Sequence, residues 1–167
     1  VAGTSLIFPA FNDLPMNPTF PLGARMNTYS GFITKFSLDG INLLWGNFIS
    51  DGDTILRKYV DLFGVDVDPI SQNVIMVGIT DGGDVPMFTP PNSSSYYQMN
   101  ICSLDSVTTN EDALIYEFDK DGNPIWSTYF GGNKADFLNS VKVINQKIFV
   151  AGSSESDSVS NNLCIKI

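Results

Sequence analysis

Histidine does not occur in this sequence. That removes the commonest general base, the commonest metal ligand and any Ser-His or Cys-His nucleophile pair. Basic residues are scarce as well: 7 Lys and 2 Arg stand against 15 Asp and 3 Glu, for a net charge of −9. Phosphate binding needs clustered Lys and Arg, so a nucleic-acid partner is not expected. No stretch approaches the roughly 18 apolar residues of a membrane helix. No segment sustains a 3.6-residue hydrophobic period, and Glu and Lys, which suit helices, give way to Asp and Asn, which suit turns. The two cysteines, Cys102 and Cys164, have no metal spacing. They read as two unpaired thiols, with a disulfide as the alternative.

What is present is apolar and turn-rich. Aromatics make up 12% of the 167 residues, which is too many for an acidic disordered tail. Fourteen Gly and nine Pro punctuate short apolar runs, so the chain reads as many short strands joined by turns.

Those runs recur. "VAGTS" at 1–5, "MVGIT" at 76–80 and "VAGSS" at 150–154 place Gly3, Gly78 and Gly152 at spacings of 75 and 74. "GFITKFSLDG" (31–40) is answered by "ALIYEFDKDG" (113–122), and "NLCIKI" (162–167) is a third copy without its turn. "WGNFISDG" from Trp45 is echoed by "WSTYFGG" from Trp126, and "VDLFGVDVD" (60–68) by "FLNSVKVIN" (137–145). Asp39-Gly40 and Asp121-Gly122 are hairpin turns, because Gly supplies positive φ at low cost. A repeated unit of four short antiparallel strands with both faces apolar is the pattern of a β-propeller blade. The fold expected is therefore all-β, with propeller blades of four antiparallel strands. The assignment gives a partial blade at 1–50, a complete blade at 60–131 and a partial blade at 138–167. That is fewer than the roughly four to eight blades of a ring. The chain, which opens in mid-strand, thus reads as part of one larger propeller whose remaining blades are its first partner. Trp45 and Trp126, at one place in successive units, read as packing between blades rather than as ligand stackers.

"WSTYFGG", "IFVAGSS" and "DVPMF" shortly after "VGITDGG" resemble the bacterial propeller repeats known as SBBP repeats. The resemblance covers nearly all of 31–167. It implies a propeller in an exported bacterial protein, secreted or on the cell surface, and it carries no catalytic motif. The departures from it are two insertions, 6–30 and 81–111, rich in Pro, Asn, Ser, Met and aromatics. They are too long to be mere connections, and in a blade they emerge on one face. That face is the candidate binding surface, for a glycan or a protein ligand. Phe88, Tyr96 and Tyr97 are its candidate contact residues, and Arg25 its fork-shaped donor.

Other readings stay minor. "DKDGN" (119–123) has the acidic alternation of a calcium loop but not its Gly or Glu positions, so a plain hairpin turn is expected and no metal or cofactor. Thr54, Ser106 and Ser158 each follow Asp and precede an apolar residue. This resembles the O-glycosylation acceptor of one group of Gram-negative bacteria, and chance matching in an Asp- and Ser-rich chain is the other reading. The function expected is a non-catalytic structural, adhesive or partner-binding propeller segment. The alternative is a carbohydrate-active or glycan-binding propeller with catalytic carboxylates partly outside this chain.

Overall fold

The computed structural model describes residues 2–6, 29–51, 58–102 and 111–156. These contain no helix, and hence none long and apolar enough to cross a membrane. Their strands are β1 (Ala2–Leu6), β2 (Tyr29–Phe36), β3 (Leu43–Ile49), β4 (Val60–Val67), β5 (Val74–Thr80), β6 (Asp112–Phe118), β7 (Pro124–Phe130), β8 (Asp136–Ile144) and β9 (Lys147–Ser154). They form three antiparallel sheets, in the orders β1-β2-β3, β4-β5-β6-β7 and β8-β9. No sheet closes on itself among the described residues. The all-β expectation thus holds, and the four-stranded unit appears in β4 to β7.

The middle sheet is buried on both faces, and the period-2 alternation of its strands shows how. Val74 and Met76 of β5, with Leu114, Tyr116 and Phe118 of β6, share a core with Ile33, Trp45 and Ile49 of the first sheet. The intervening residues Ile75, Val77, Ala113 and Ile115 share a second core with Leu138, Val141 and Val143 of β8. Continuous apolar runs such as "VIMVGIT" are what a strand covered on both sides requires.

Matching phrases adopt matching registers. Lys35 lies opposite Trp45 and Glu117 opposite Trp126, and each pair is followed by a register shift before Phe36 or Phe118. Leu62 lies opposite Gly78 and Leu138 opposite Gly152, each followed by a bulge on the first strand. The bulge explains the glycines. A Cβ on Gly78 would lie 2.0 Å from the Asp61 carbonyl oxygen, and one on Gly152 would lie 1.6 Å from that of Phe137. The close approach of the paired backbone, not an unusual φ, excludes a side chain at both places.

The Asp-Gly turns form as expected. Gly40 and Gly122 have φ of 74° and 86°. Asp119 accepts hydrogen bonds from the backbone N–H of Asp121 (2.9 Å) and Asn123 (2.8 Å) and from Asn123 Nδ2 (2.8 Å). These bonds use the Asp119 carboxylate to shape the hairpin. The first sheet grips this turn. Trp45 Nε1 donates to the Lys120 carbonyl (3.0 Å), Lys35 Nζ to the same oxygen (2.8 Å), and Asn47 Nδ2 to the Gly122 carbonyl (2.8 Å). The Trp45 ring meets Phe118 at 6.3 Å. Trp126, half-buried and bonded through Nε1 to Glu117, packs on the second core. Both tryptophans therefore pack between sheets.

Gly78→Ala and Gly152→Ala should each destabilise the fold by about 3 kcal/mol or more, because the added methyl meets rigid backbone. Gly83→Ala, whose Cβ would meet nothing nearer than 3.8 Å, should be near neutral. Urea denaturation of the three variants checks this. Equal effects at all three positions would refute the close-approach account.

Candidate functional site

Among the described residues, β3, β5, β7 and β9 stop and β4, β6 and β8 begin at one end of the sheets. Polar side chains there satisfy the strand ends. Thr80 Oγ1 donates to the Tyr59 carbonyl (2.6 Å) and accepts from Gly82 N–H (2.9 Å). Tyr59 N–H donates to Asp81 (2.8 Å), and Lys58 lies 3.5 Å from the same carboxylate. Asp51, buried, accepts from Asp84 N–H at 2.9 Å. The Tyr59 hydroxyl donates to Glu111.

The described part of the second insertion, 81–102, does not stand away from the sheets. It lies along the outer strand β7. Ser127 N–H donates to the Phe88 carbonyl (3.0 Å) and Tyr129 N–H to that of Gln98 (3.1 Å). In return Phe88 N–H donates to Ser127 Oγ (2.8 Å) and Gln98 N–H to Thr128 Oγ1 (2.8 Å). Met87, Phe88 and Ile101 pack against the first core. Phe88 is thus half-buried on the core, not on the loop alone. Tyr96 donates to Gln98 Oε1 (2.9 Å) and sets its ring 5.8 Å from Phe130, and Tyr97 is half-buried. The loop covers backbone donors that an open edge strand would leave to solvent or to another chain.

Under this loop lie two carboxylates. Asp112 opens β6 and is fully buried. Asp136 opens β8 and is 4% exposed. One oxygen of Asp112 accepts from Cys102 N–H (2.9 Å) and Gln98 Nε2 (3.1 Å). Its other oxygen, Oδ1, has no hydrogen-bond partner among the described residues. Asp136 accepts from Gly132 N–H (2.6 Å) and Ser156 Oγ (2.7 Å). A Cβ on Gly131 would lie 2.7 Å from Asp112 Oδ1 and 2.9 Å from Asp136 Oδ2, so the Gly131-Gly132 pair gives both acids room. Burial pushes the Asp112 carboxyl up to about 6. The Cys102 N–H opposes the rise, and the Asp136 charge adds to it. Among the described residues no group of three or more acidic or thiol side chains is placed to hold a metal.

Cys102 corrects the reading of two unpaired thiols: it is buried and disulfide-bonded. The sequence spacing carried no sign of this, because pairing follows proximity in the fold. Cys164, the other cysteine of the chain, lies outside the described residues, as do Arg25, Thr54, Ser106 and Ser158. The structure brings Phe88, Tyr96 and Tyr97 onto one loop. Asp112, Asp136 and Gln98 went unmarked in the sequence analysis. The only local signal for the two acids is an Asp at the head of an apolar run. No protein-family model and no curated protein matches the chain. The resemblance to SBBP repeats therefore rests on the phrases that carry it.

Two predictions follow from the buried acids and the disulfide. The folded chain holds the Asp112 proton at about 6, against about 3.9 when unfolded. This group therefore favours folding below about pH 4, and the contribution is lost as pH rises through about 6, a change on the order of 2–3 kcal/mol. Asp112→Asn keeps an acceptor for Cys102 and Gln98 and places a donor towards Asp136. Its stability relative to the parent should rise between about pH 4 and 7, read from urea melts at each pH. Parallel pH curves would refute the assignment. Cys102→Ala should cost about 2–4 kcal/mol, and its melting should no longer respond to reductant.

Proposed function

We propose that this chain is a run of stacked β units from a β-propeller, serving as a non-catalytic structural, adhesive or partner-binding module of an exported bacterial surface protein. One observation carries the reading. Ile33 and Trp45 of the first sheet face the second, while Ile115 and Trp126, at the same register positions, face the third. Each unit thus turns the same face to its successor. Such head-to-tail contact does not satisfy itself within a pair, so it continues until a ring closes or another surface covers the last face.

The third sheet has such a face. Phe149 holds the place in β9 that Ile75 holds in β5, and it is 54% exposed where Ile75 is 2%. The partner that fits it is a further unit of the same kind. The disulfide at Cys102 supports export, since disulfides persist in oxidising compartments. The loop end, with Tyr96 and Tyr97 on the second insertion and Arg25 on the first, is the surface we assign to a glycan or protein ligand. Thr54, Ser106 and Ser158 are the positions we assign to glycan attachment.

The purified chain should self-associate with rising concentration through the Phe149 face. Phe149→Lys should shift it towards monomer with its thermal transition kept, as read by sedimentation velocity and circular dichroism. A parent chain that stays monomeric at high concentration and melts in one cooperative transition would overturn the stacked-unit reading.

A further inference from the structure

The contact between the second and third sheets differs from the one before it at three places near the loop end. By register, Asp112 holds in β6 the place that Ser30 holds in β2, and Asp136 holds in β8 the place of Val60 in β4. Gly131 follows β7 where Ser50 follows β3. Ser30, Ser50 and Val60 are all buried, so the earlier contact closes without an acid. The later one has two buried carboxylates and, at Gly131, no side chain. Packing does not call for that exchange. Withdrawing two like charges from water is costly unless an opposite charge joins them.

The acids are placed to share such a charge. Asp112 is fully buried, and its Oδ1 has no hydrogen-bond partner among the described residues. That oxygen and Asp136 Oδ2 both border the space a Gly131 side chain would fill, 2.7 and 2.9 Å from its Cβ position. Gln98 brings an amide oxygen to the same place, where its Oε1 accepts from Gly131 N–H (3.3 Å). The charge that bears on Asp112 is the like charge of Asp136. The donors are all oxygen: the chain has no histidine, and Cys102, the sulfur beside them, is committed to a disulfide. Oxygen donors in an irregular arrangement suit a hard cation of calcium's size better than zinc or copper.

We propose that Asp112 and Asp136 form a site for one divalent cation of the calcium type, with Asp112 Oδ1 and Asp136 Oδ2 as charged ligands and amide and water oxygens completing the shell. The sequence reading expected no metal, because the two acids come from different units. The proposal is independent of the stacked-unit reading. The ion would join β6 to β8, and so the second sheet to the third. It would do so beneath the 81–102 loop, whose Gln98 Nε2 and Cys102 N–H bind the same Asp112 carboxylate. Two carboxylates place the affinity among weak calcium sites, with a Kd on the order of 10⁻⁴–10⁻³ M.

The intact 167-residue protein, stripped with EDTA and dialysed at neutral pH, is titrated with calcium chloride by isothermal calorimetry, and its melting is followed by circular dichroism. One saturable site per chain is expected, with a melting temperature that climbs as calcium is added. Asp112→Asn and Asp136→Asn should each weaken binding about tenfold or more. Each asparagine keeps an oxygen for the donors that its aspartate serves, and circular dichroism checks the fold. Asp121→Asn, at an exposed turn, should leave binding unchanged. Should neither site variant fold, nuclear magnetic resonance of the parent decides, since the Gly131 and Gly132 amide signals must move with calcium. Signals that stay fixed would overturn the proposal. So would the absence of saturable binding, which leaves the acids to a shared proton, or equal binding by either site variant. The same stabilisation by sodium chloride at matched ionic strength would mark general screening of the net charge and overturn it too.

Discussion

Everything in this fold depends on burying the β4–β7 sheet on two faces at once. A sheet covered on one side alternates apolar and polar residues, and one covered on both sides cannot. β5 and β6 carry apolar side chains at nearly every position, and apart from Ile79 those side chains divide between the two cores. At about 2 kcal/mol for each large side chain withdrawn from water, neither face is stable exposed. The first and third sheets are held in place because they cover these faces. The tryptophans then fix how each sheet sits on the next, Trp45 by its bond to the Lys120 carbonyl and its ring on Phe118.

Covering both faces leaves the outer strand to be managed. β7 has donors on its open side, and the 81–102 loop takes up those of Ser127 and Tyr129. The same loop delivers Gln98 and the Cys102 N–H to Asp112. Edge cover and acid burial are therefore one arrangement. A buried carboxylate oxygen without a partner among the described residues costs on the order of 1–3 kcal/mol, and the loop carries that cost while it covers the acid. The ligand surface we assign to this end is consequently a fixed one in its described part. Phe88 is committed to the core, which leaves Tyr96, Tyr97 and the exposed Pro91 to Ser95 stretch to meet a partner.

The sequence alone determined the local grammar of this protein. The Asp-Gly pairs set the hairpin turns, since positive φ at Gly40 and Gly122 is a property of the residue itself. Strand positions followed from apolar runs between turn residues, and the recurrence of Trp45 and Trp126 told that both are packing residues. Even the invariance of glycine in "MVGIT" and "VAGSS" was visible. Its reason was not: the carbonyls of Asp61 and Phe137 that exclude a side chain sit on a different strand, set there by a bulge.

What only the tertiary structure decided has the same character throughout, because it depends on residues far apart in sequence arriving at one point. The bond at Cys102, the facing of Asp112 and Asp136 across the Gly131-Gly132 pair, and the run of 81–102 along β7 are such meetings. Turn and strand preferences act over a few residues and are written in order along the chain. Burial and electrostatic environment are set by neighbours in space, and a single sequence does not state which residues those neighbours will be.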